Sequence, residues 1–244
     1  MATLAAESLK QKDFLCGPFQ AARILRELGH DADEDAIAAA AGSLLPEPAA
    51  GSVPPGAAPK TDYAVDLPRV APDVAGTAVG PLAAAIESAA GGALRAVPLR
   101  GDWTPSGVET LVDRGTRLAR LVANVRTGPF WGTHPPRELL EAELAGDEQE
   151  GPPSHWDVGH FCELVGLLRG SGGSLVAVRD SYPSFGLAGY HLQPPRAVAA
   201  ALQRGDGREG GVLAIVDAAR AVDVERLAAE LGLEIAPWDN GTRR

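Results

Sequence analysis

Residues 11–29 read QKDFLCGPFQAARILRELG, and this stretch decides the fold that the sequence predicts. Pro18 suits the first turn of a helix, and Gly29 is typical of a residue that ends one. Between them, apolar residues recur at helical spacing: Ala21, Ile24, Leu25 and Leu28. The stretch therefore predicts a helix over residues 18–29, with Cys16 directly before it.

The rest of the chain predicts helices first and then a run of strands. Further helices are predicted over residues 34–41 (with Asp33 as the cap), 80–90, 106–114, 195–203 and 223–231. Strands are predicted over residues 94–98, 117–126, 160–168, 174–180, 190–193 and 211–216. Residues 43–76 are rich in Pro, Gly and Ala, which indicates a loop. The order predicts an α+β fold in which helices pack on a mostly antiparallel sheet.

The length of 244 residues suits one domain. We interpret residues 1–42 as the region of the first helix, 43–116 as a variable helical insert and 117–244 as the sheet region. Within the sheet region, residues 127–157 form a long loop or lid, part of which (138–150) is acidic and of helical character. Residues 184–244 could form a separate lobe, but we expect them to complete the sheet, because GVLAIV at 211–216 alone would be an exposed apolar strand.

Composition narrows the class of partner. The formal charge of −10 disfavours nucleic acid and anionic membranes, and no stretch approaches the length of a membrane span. The first residues lack the apolar run of a secretory signal, so we expect a cytoplasmic protein. In a reducing cytosol the two cysteines, Cys16 and Cys162, are expected to be free thiols.

Cys16 is the candidate nucleophile. A thiol at a helix N-terminus feels the positive end of the helix dipole, which favours the reactive thiolate. Gly17 would leave room for a substrate carbonyl, whose developing charge the N–H of Cys16 and the side-chain amide of Gln11 would stabilise. The alternatives are that Cys16 is a small buried hydrophobe and that Gln11 is an ordinary polar residue before a helix.

His160 is the candidate base, because it opens a predicted strand and could face that helix N-terminus. Asp180 ends the next strand, and two hairpin-paired strands can bring both side chains to one sheet end, where a carboxylate would orient the imidazole. Asp180 could equally be a turn residue before Ser-Tyr-Pro, and His160 a half-buried strand histidine. Asp157 is the reserve partner for His160.

These segments together resemble a known family. Residues 11–25, in which Cys16-Gly17-Pro18 opens a helix, and residues 159–166, GHFCELVG, are similar to the cysteine and histidine segments of papain-like cysteine peptidases of the C39-like group. The resemblance covers roughly the first thirty residues and 118–183, and it implies a papain-like fold. It also implies Cys16 as nucleophile, His160 as general base, Asp180 as its orienting residue and Gln11 as oxyanion donor. Gln11 lies one residue closer to the cysteine than the group usually has it.

Two other groups of residues invite a functional interpretation. Trp131 and Trp156, with the nearby Gly159, could line a substrate cleft, or Trp131 could simply pin the loop to the body of the protein. His155, Asp157, His160 and Cys162 are all metal-ligand types, but their spacing fits no common zinc pattern, so we predict no metal and no other cofactor.

The leading hypothesis is a cysteine-dependent amide hydrolase, a peptidase that acts on a peptide or a modified-peptide precursor. A second hypothesis is an acyltransferase or amide synthase of natural-product biosynthesis that uses the same triad on small acyl and amine substrates. A third is a papain-like domain that has lost catalysis and binds peptides.

Overall fold

The computed structural model describes residues 10–47, 53–132 and 134–242, so part of the predicted loop, 48–52, lies outside the described residues. The helices are α1 (Cys16–Glu27), α2 (Glu34–Ala40), α3 (Val79–Ala89), α4 (Pro105–Gly115), α5 (Arg137–Ala145), α6 (Pro195–Gln203) and α7 (Ala221–Glu230). The strands are β1 (Leu45–Pro46), β2 (Arg69–Val70), β3 (Leu94–Arg100), β4 (Arg120–Arg126), β5 (Gly159–Arg169), β6 (Ser174–Arg179), β7 (Tyr190–Gln193), β8 (Gly211–Asp217) and β9 (Glu234–Ile235). The predicted α+β class is confirmed.

Seven strands form one sheet in the order β7-β6-β5-β4-β8-β3-β9, and every neighbouring pair is antiparallel. Strand β8 lies between β4 and β3, so residues 211–217 complete the sheet as predicted. We interpreted residues 43–116 as a variable helical insert. This interpretation is corrected in part, because the segment also supplies β3, an inner strand of the sheet. Most residues of β3 are buried. The strand is stabilised by pairing with β8 on one side and β9 on the other.

Helices cover both faces of the sheet. On one face, α1 and α3 share a core with Phe161 of β5 and Val122 of β4. On the other face, α4, α6 and α7 pack against a core that includes Cys162 and Leu164. Because successive side chains along a strand point to opposite faces of the sheet, the side chains of His160 and Phe161 lie on opposite faces of β5.

Helix α1 begins two residues earlier than the sequence pattern predicts. Leu15 occupies the N-cap position, so Cys16 is the first helical residue and Pro18 the third. The side chains of Ala21, Ile24 and Leu25 are buried as expected, but Leu28, which seemed to belong to the same apolar face, is 42% exposed. The correction matters because it makes Cys16 part of the helix terminus itself.

The predicted lid, residues 127–157, contains α5 and is attached to the body at both ends. The Thr127 hydroxyl donates to the Trp156 carbonyl at 2.6 Å and joins the two ends of the segment, and Gln193 holds Trp131 near its start. None of the helices formed by the described residues is long and apolar enough to cross a membrane.

Candidate active site

Cys16 lies at the N-terminus of α1, where the helix exposes its unpaired N–H groups. The N-cap residue is Leu15, whose side chain offers no acceptor, and the first turn contains no acidic residue. The N–H groups of the first turn have no intrahelical acceptor and carry the positive end of the helix dipole. The Cys16 side chain is half-buried at the surface of a cleft. This position suits a group that must meet an external molecule.

His160 and Asp180 form a buried pair. His160 is 2% exposed and Asp180 is 5% exposed, and the imidazole Nε2 lies 3.2 Å from each carboxylate oxygen of Asp180. The hairpin of β5 and β6 brings the two side chains together. Glu163 is paired with Arg179, so His160, near the start of β5, and Asp180, just after the end of β6, lie at the same end of the sheet. The predicted proximity of the two side chains is thus present in the structure.

Asp180 is also a turn residue, so both of the roles considered for it are combined. Its Oδ1 accepts the N–H groups of Ser181 at 2.7 Å and Tyr182 at 3.0 Å. These two bonds fix the carboxylate and leave Oδ2 directed at the imidazole. The local turn therefore orients the group that orients His160.

The groups that face His160 Nε2, the Asp180 carboxylate above all, are acceptors and place a proton on that nitrogen. Gln11 Nε2 donates to the Lys12 carbonyl at 3.1 Å, so its Oε1 is an acceptor and receives the Ser181 hydroxyl. The Ser181 oxygen, 3.4 Å from His160 Nε2, can then only accept. When the ring is neutral, His160 Nε2 therefore carries the proton, and Nδ1 is the nitrogen that can exchange a proton with a nucleophile.

Electrostatics favour the charged form of this pair. Burial alone lowers the pKa of His160, but the carboxylate of Asp180 and a hydrogen bond with Cys16 outweigh it and raise the pKa to about 10. Burial raises the pKa of Asp180, but the charge and hydrogen bond of His160, together with His191 and the Tyr182 N–H, outweigh burial and lower the pKa. At neutral pH the structure therefore favours an imidazolium between a carboxylate and the Cys16 sulfur.

Aromatic rings enclose the imidazole. The ring of Trp156 meets that of His160 edge-on, with centroids 4.9 Å apart, and also contacts Tyr182 and Phe185 at 5.6 and 5.3 Å. Tyr182 lies 6.1 Å from His160. These rings exclude water from the charged pair, which strengthens its electrostatic interaction.

The cleft has about 400 Å³ of empty space. It is lined by Gln11, Asp13, Phe14, Cys16, Val53, Trp156, Val158, Gly159, His160 and Tyr182. Of the residues predicted to act, Cys16, His160 and Gln11 line this cleft, and Asp180 lies directly behind His160.

One protein family matches the chain, over residues 1–239. The chain belongs to DUF6885, a family of unknown function. No curated protein and no solved structure shows significant similarity to it.

The predicted substrate-binding residues of this DUF6885 protein divide into two groups. Gly159 and Trp156 line the cleft. Gly17 instead faces the interior, where an added Cβ would lie 3.1 Å from Leu82 Cδ2 and 3.3 Å from Phe161 Cδ2. The prediction that Gly17 makes room for a substrate is corrected: its missing side chain lets α1 pack closely on the sheet.

Trp131 is outside the cleft. Its backbone N–H donates to Gln193 Oε1 at 2.7 Å, its carbonyl accepts from Gln193 Nε2 at 3.1 Å, and its ring lies 5.6 Å from the guanidinium of Arg196. Trp131 thus pins the loop to the body, the alternative that the sequence left open, and its predicted place in a substrate cleft is wrong.

The residues of the conceivable metal cluster are dispersed. Asp157 is exposed and pairs with Arg126 at 2.5 Å, so it is not the partner of His160. Cys162 is fully buried in the core, where burial raises its pKa well above the usual value. Within residues 10–47, 53–132 and 134–242, no group of three or more potential ligands is arranged to hold a metal ion.

A second buried histidine, His191, is not equipped to be the base. Gln193 Nε2 donates to its Nδ1 at 3.0 Å, and burial lowers its pKa to about 4. Its ring packs on Phe130 and Phe185. His191 is therefore neutral, whereas His160 has the carboxylate partner and the contact with Cys16.

A buried charge network attaches the helix of Cys16 to the strands of the other two residues. Arg23 of α1 pairs with Glu163 of β5 at 2.9 Å and donates to the Asp180 carbonyl at 3.2 Å. Glu163 also accepts from Arg120 of β4 at 2.6 Å. The signal for this network in the sequence is a charged residue, Arg23, in an apolar helix face; no pattern in the sequence marks Glu163 or Ser181.

Proposed function

We propose that this DUF6885 protein is a papain-like cysteine-dependent amide hydrolase that acts on a peptide or a modified peptide through a thioester intermediate. The observation that carries the proposal is the half-buried Cys16 at a helix N-terminus, joined to the buried pair of His160 and Asp180. Covalent catalysis is expected to use a nucleophile that is hydrogen-bonded to a base, and a third residue that is hydrogen-bonded to the base and orients it.

In the acylation step, the Cys16 sulfur attacks the substrate carbonyl carbon, and the carbonyl oxygen takes up negative charge. The Cys16 N–H and the second Nε2 hydrogen of Gln11 are the donors that would stabilise this oxyanion. The imidazolium of His160 then gives its Nδ1 proton to the leaving nitrogen as the carbon–nitrogen bond breaks. A thioester on Cys16 and a free amine result.

In the deacylation step, Nδ1 of neutral His160 removes a proton from water, whose oxygen attacks the thioester carbon. The carbon–sulfur bond breaks, the acid product leaves, and the thiolate–imidazolium pair is restored. Throughout, Asp180 keeps Nε2 protonated and the ring in place. An amine in place of water would turn the same thioester into an amide, which is the acyl-transfer alternative.

The papain-like assignment is supported by the arrangement of the parts. A nucleophile at the start of a helix meets a histidine and a carboxylate at one end of an antiparallel sheet. Two free cysteines, one of them fully buried, agree with a reducing compartment, and we propose the cytoplasm.

The test is a burst experiment with p-nitrophenyl acetate, an activated acyl donor that any competent thiol nucleophile can accept. We expect one equivalent of p-nitrophenolate per protein and an acetyl group on Cys16 by mass spectrometry. Cys16→Ala should abolish the burst, whereas Cys162→Ala, the matched control, should retain it. Adding glycinamide separates hydrolysis from acyl transfer by the product formed. If the native protein gives no acetyl-Cys16, catalysis is refuted and the peptide-binding hypothesis takes its place.

A further inference from the structure

A second cavity adjoins the cleft of Cys16. It has about 740 Å³ of empty space and shares two wall residues, Asp13 and Phe14, with the cleft. Its lining consists of Asp13, Phe14, Leu45, Pro46, Pro59, Thr61, Tyr63 and Arg69. A substrate whose carbonyl reaches Cys16 can therefore extend into this cavity past Phe14.

The wall of the second cavity is bonded to the segment that carries the nucleophile. Asp13 N–H donates to the Lys60 carbonyl at 2.8 Å, Lys60 N–H donates to Asp13 Oδ1 at 3.1 Å, and Tyr63 Oη donates to the Asp13 carbonyl at 3.0 Å. Asp13 is three residues from Cys16. The position of the cavity relative to the sulfur is thus fixed by backbone hydrogen bonds.

Phe14, the residue between the two cavities, has a left-handed backbone conformation with φ of 64°. A bulky side chain rarely adopts this conformation, and such strain is concentrated at binding and catalytic sites. The conformation places a large apolar ring where both cavities meet, since Phe14 lines each of them.

Arg69 gives the second cavity a free positive charge. It is exposed, and it is the one arginine of the described residues whose guanidinium has neither a salt bridge nor a hydrogen bond to another described residue. Asp13, the acidic residue of the same cavity, already accepts the Lys60 N–H. A guanidinium at an apolar cavity is suited to a carboxylate, which it binds through two parallel hydrogen bonds.

We propose that this cavity is a substrate subsite that receives an apolar side chain and, at Arg69, a neighbouring carboxylate. Leu45, Pro46 and Phe14 supply the apolar walls. The inference rests on the proposed function, because it takes Cys16 to be the nucleophile, and it narrows the substrate to an acyl compound or peptide with an apolar residue next to a carboxylate.

The probes are chloroacetyl-leucine, chloroacetyl-leucinamide and chloroacetyl-glycine, which alkylate a thiolate by losing chloride. Iodoacetamide, too small to reach the second cavity, measures the reactivity of Cys16 alone. We expect chloroacetyl-leucine to alkylate Cys16 about tenfold faster than either analogue, as for one charge-assisted contact or one buried side chain. Arg69→Gln should remove the preference for chloroacetyl-leucine over chloroacetyl-leucinamide. Thr61→Trp, which fills the cavity, should remove the preference for chloroacetyl-leucine over chloroacetyl-glycine.

The iodoacetamide rate of each variant is measured alongside, and each chloroacetyl rate is divided by it so that a change in Cys16 reactivity is not mistaken for a change in the subsite. Arg137→Gln, an exposed arginine on helix α5, is the matched control for a change of net charge and should leave all preferences intact. Equal rates for the three chloroacetyl compounds, with rapid iodoacetamide labelling, would overturn the subsite and leave the proposed function standing. Slow iodoacetamide labelling of the native protein would instead overturn the proposed function. The comparison of leucine and leucinamide on the native protein tests Arg69 even where a variant folds poorly.

Discussion

Replacing Asp180 with asparagine tests the proton arrangement of the site with almost no change of shape. The asparagine Oδ1 would continue to accept the N–H groups of Ser181 and Tyr182, so its Nδ2 would occupy the place of Oδ2, which is 3.2 Å from His160 Nε2. An amide NH₂ is a donor only. Because Oδ1 already accepts two N–H groups, we expect the Nδ2 donor to face Nε2 and the proton to move to Nδ1, which removes the base that serves Cys16.

The size of the effect follows from the raised pKa of His160. Burial lowers this pKa, and Asp180 is the main cause that raises it from its ordinary 6.5 to about 10. Without the carboxylate, burial is the largest remaining influence on the pKa of His160, which falls toward the ordinary imidazole value. At a pH of about 7.5 roughly a tenth of the imidazole would then be protonated, where nearly all of it is protonated in the native protein. The rate of Cys16 alkylation should fall about tenfold, and turnover about 10³- to 10⁴-fold.

The assay is the rate of iodoacetamide alkylation of Cys16 between about pH 5 and pH 10, with the adduct located by mass spectrometry. Cys162, which is fully buried, serves as the internal reference because it should be labelled only after denaturation. Melting temperatures of both proteins control for a loss of structure. A folded Asp180→Asn protein whose labelling rate follows the native pH profile would show that the carboxylate does not control the proton on His160.

Three further perturbations have distinct expected outcomes. Gln11→Ala should slow acylation by p-nitrophenyl acetate about 10²-fold but hardly change iodoacetamide labelling, since alkylation forms no oxyanion; equal effects on both would remove Gln11 from the oxyanion site. Glu163→Gln leaves the buried Arg23 without its counter-charge and should lower the free energy of unfolding in urea by about 3 kcal/mol; a change within error would show that the network is solvated. The raised pKa of His160 means that its stabilising interaction is complete below pH 6.5 and is lost as the pH rises through about 10. The stability difference between the native and Asp180→Asn proteins should therefore shrink over that range, and a constant difference in melting temperature would contradict the raised pKa.

Periodicity alone predicted most of the local structure. The helices at 34–41 and 195–203 and the strands at 190–193 and 211–216 agree with the structure to within about a residue, because buried faces leave a repeat in the sequence. Asp33 caps its helix as predicted, accepting the N–H groups of Asp35 and Ala36. The start of α1 was misplaced because Leu15 at the N-cap carries none of the usual capping signals.

The site was predictable only in part. The pairing of His160 with Asp180 followed from a short hairpin, in which register relates nearby positions. The places of Gly17 and Trp131 were not predictable, because a glycine is equally compatible with substrate and with close packing, and only the neighbours Leu82 and Gln193 decide between them.

The elements, the α+β class and the few polar residues with a chemical reason to meet can all be inferred from the order of the amino acids. How they meet depends on contacts between distant parts of the chain: the Gln11–Ser181 hydrogen bond beside His160, the left-handed Phe14, and the Arg69 guanidinium, which has no ion pair with another described residue. The physical reason is that hydrogen-bond direction, burial and unpaired charge depend on groups far apart in the chain. Periodicity records which face of an element is buried, but not what lies against it.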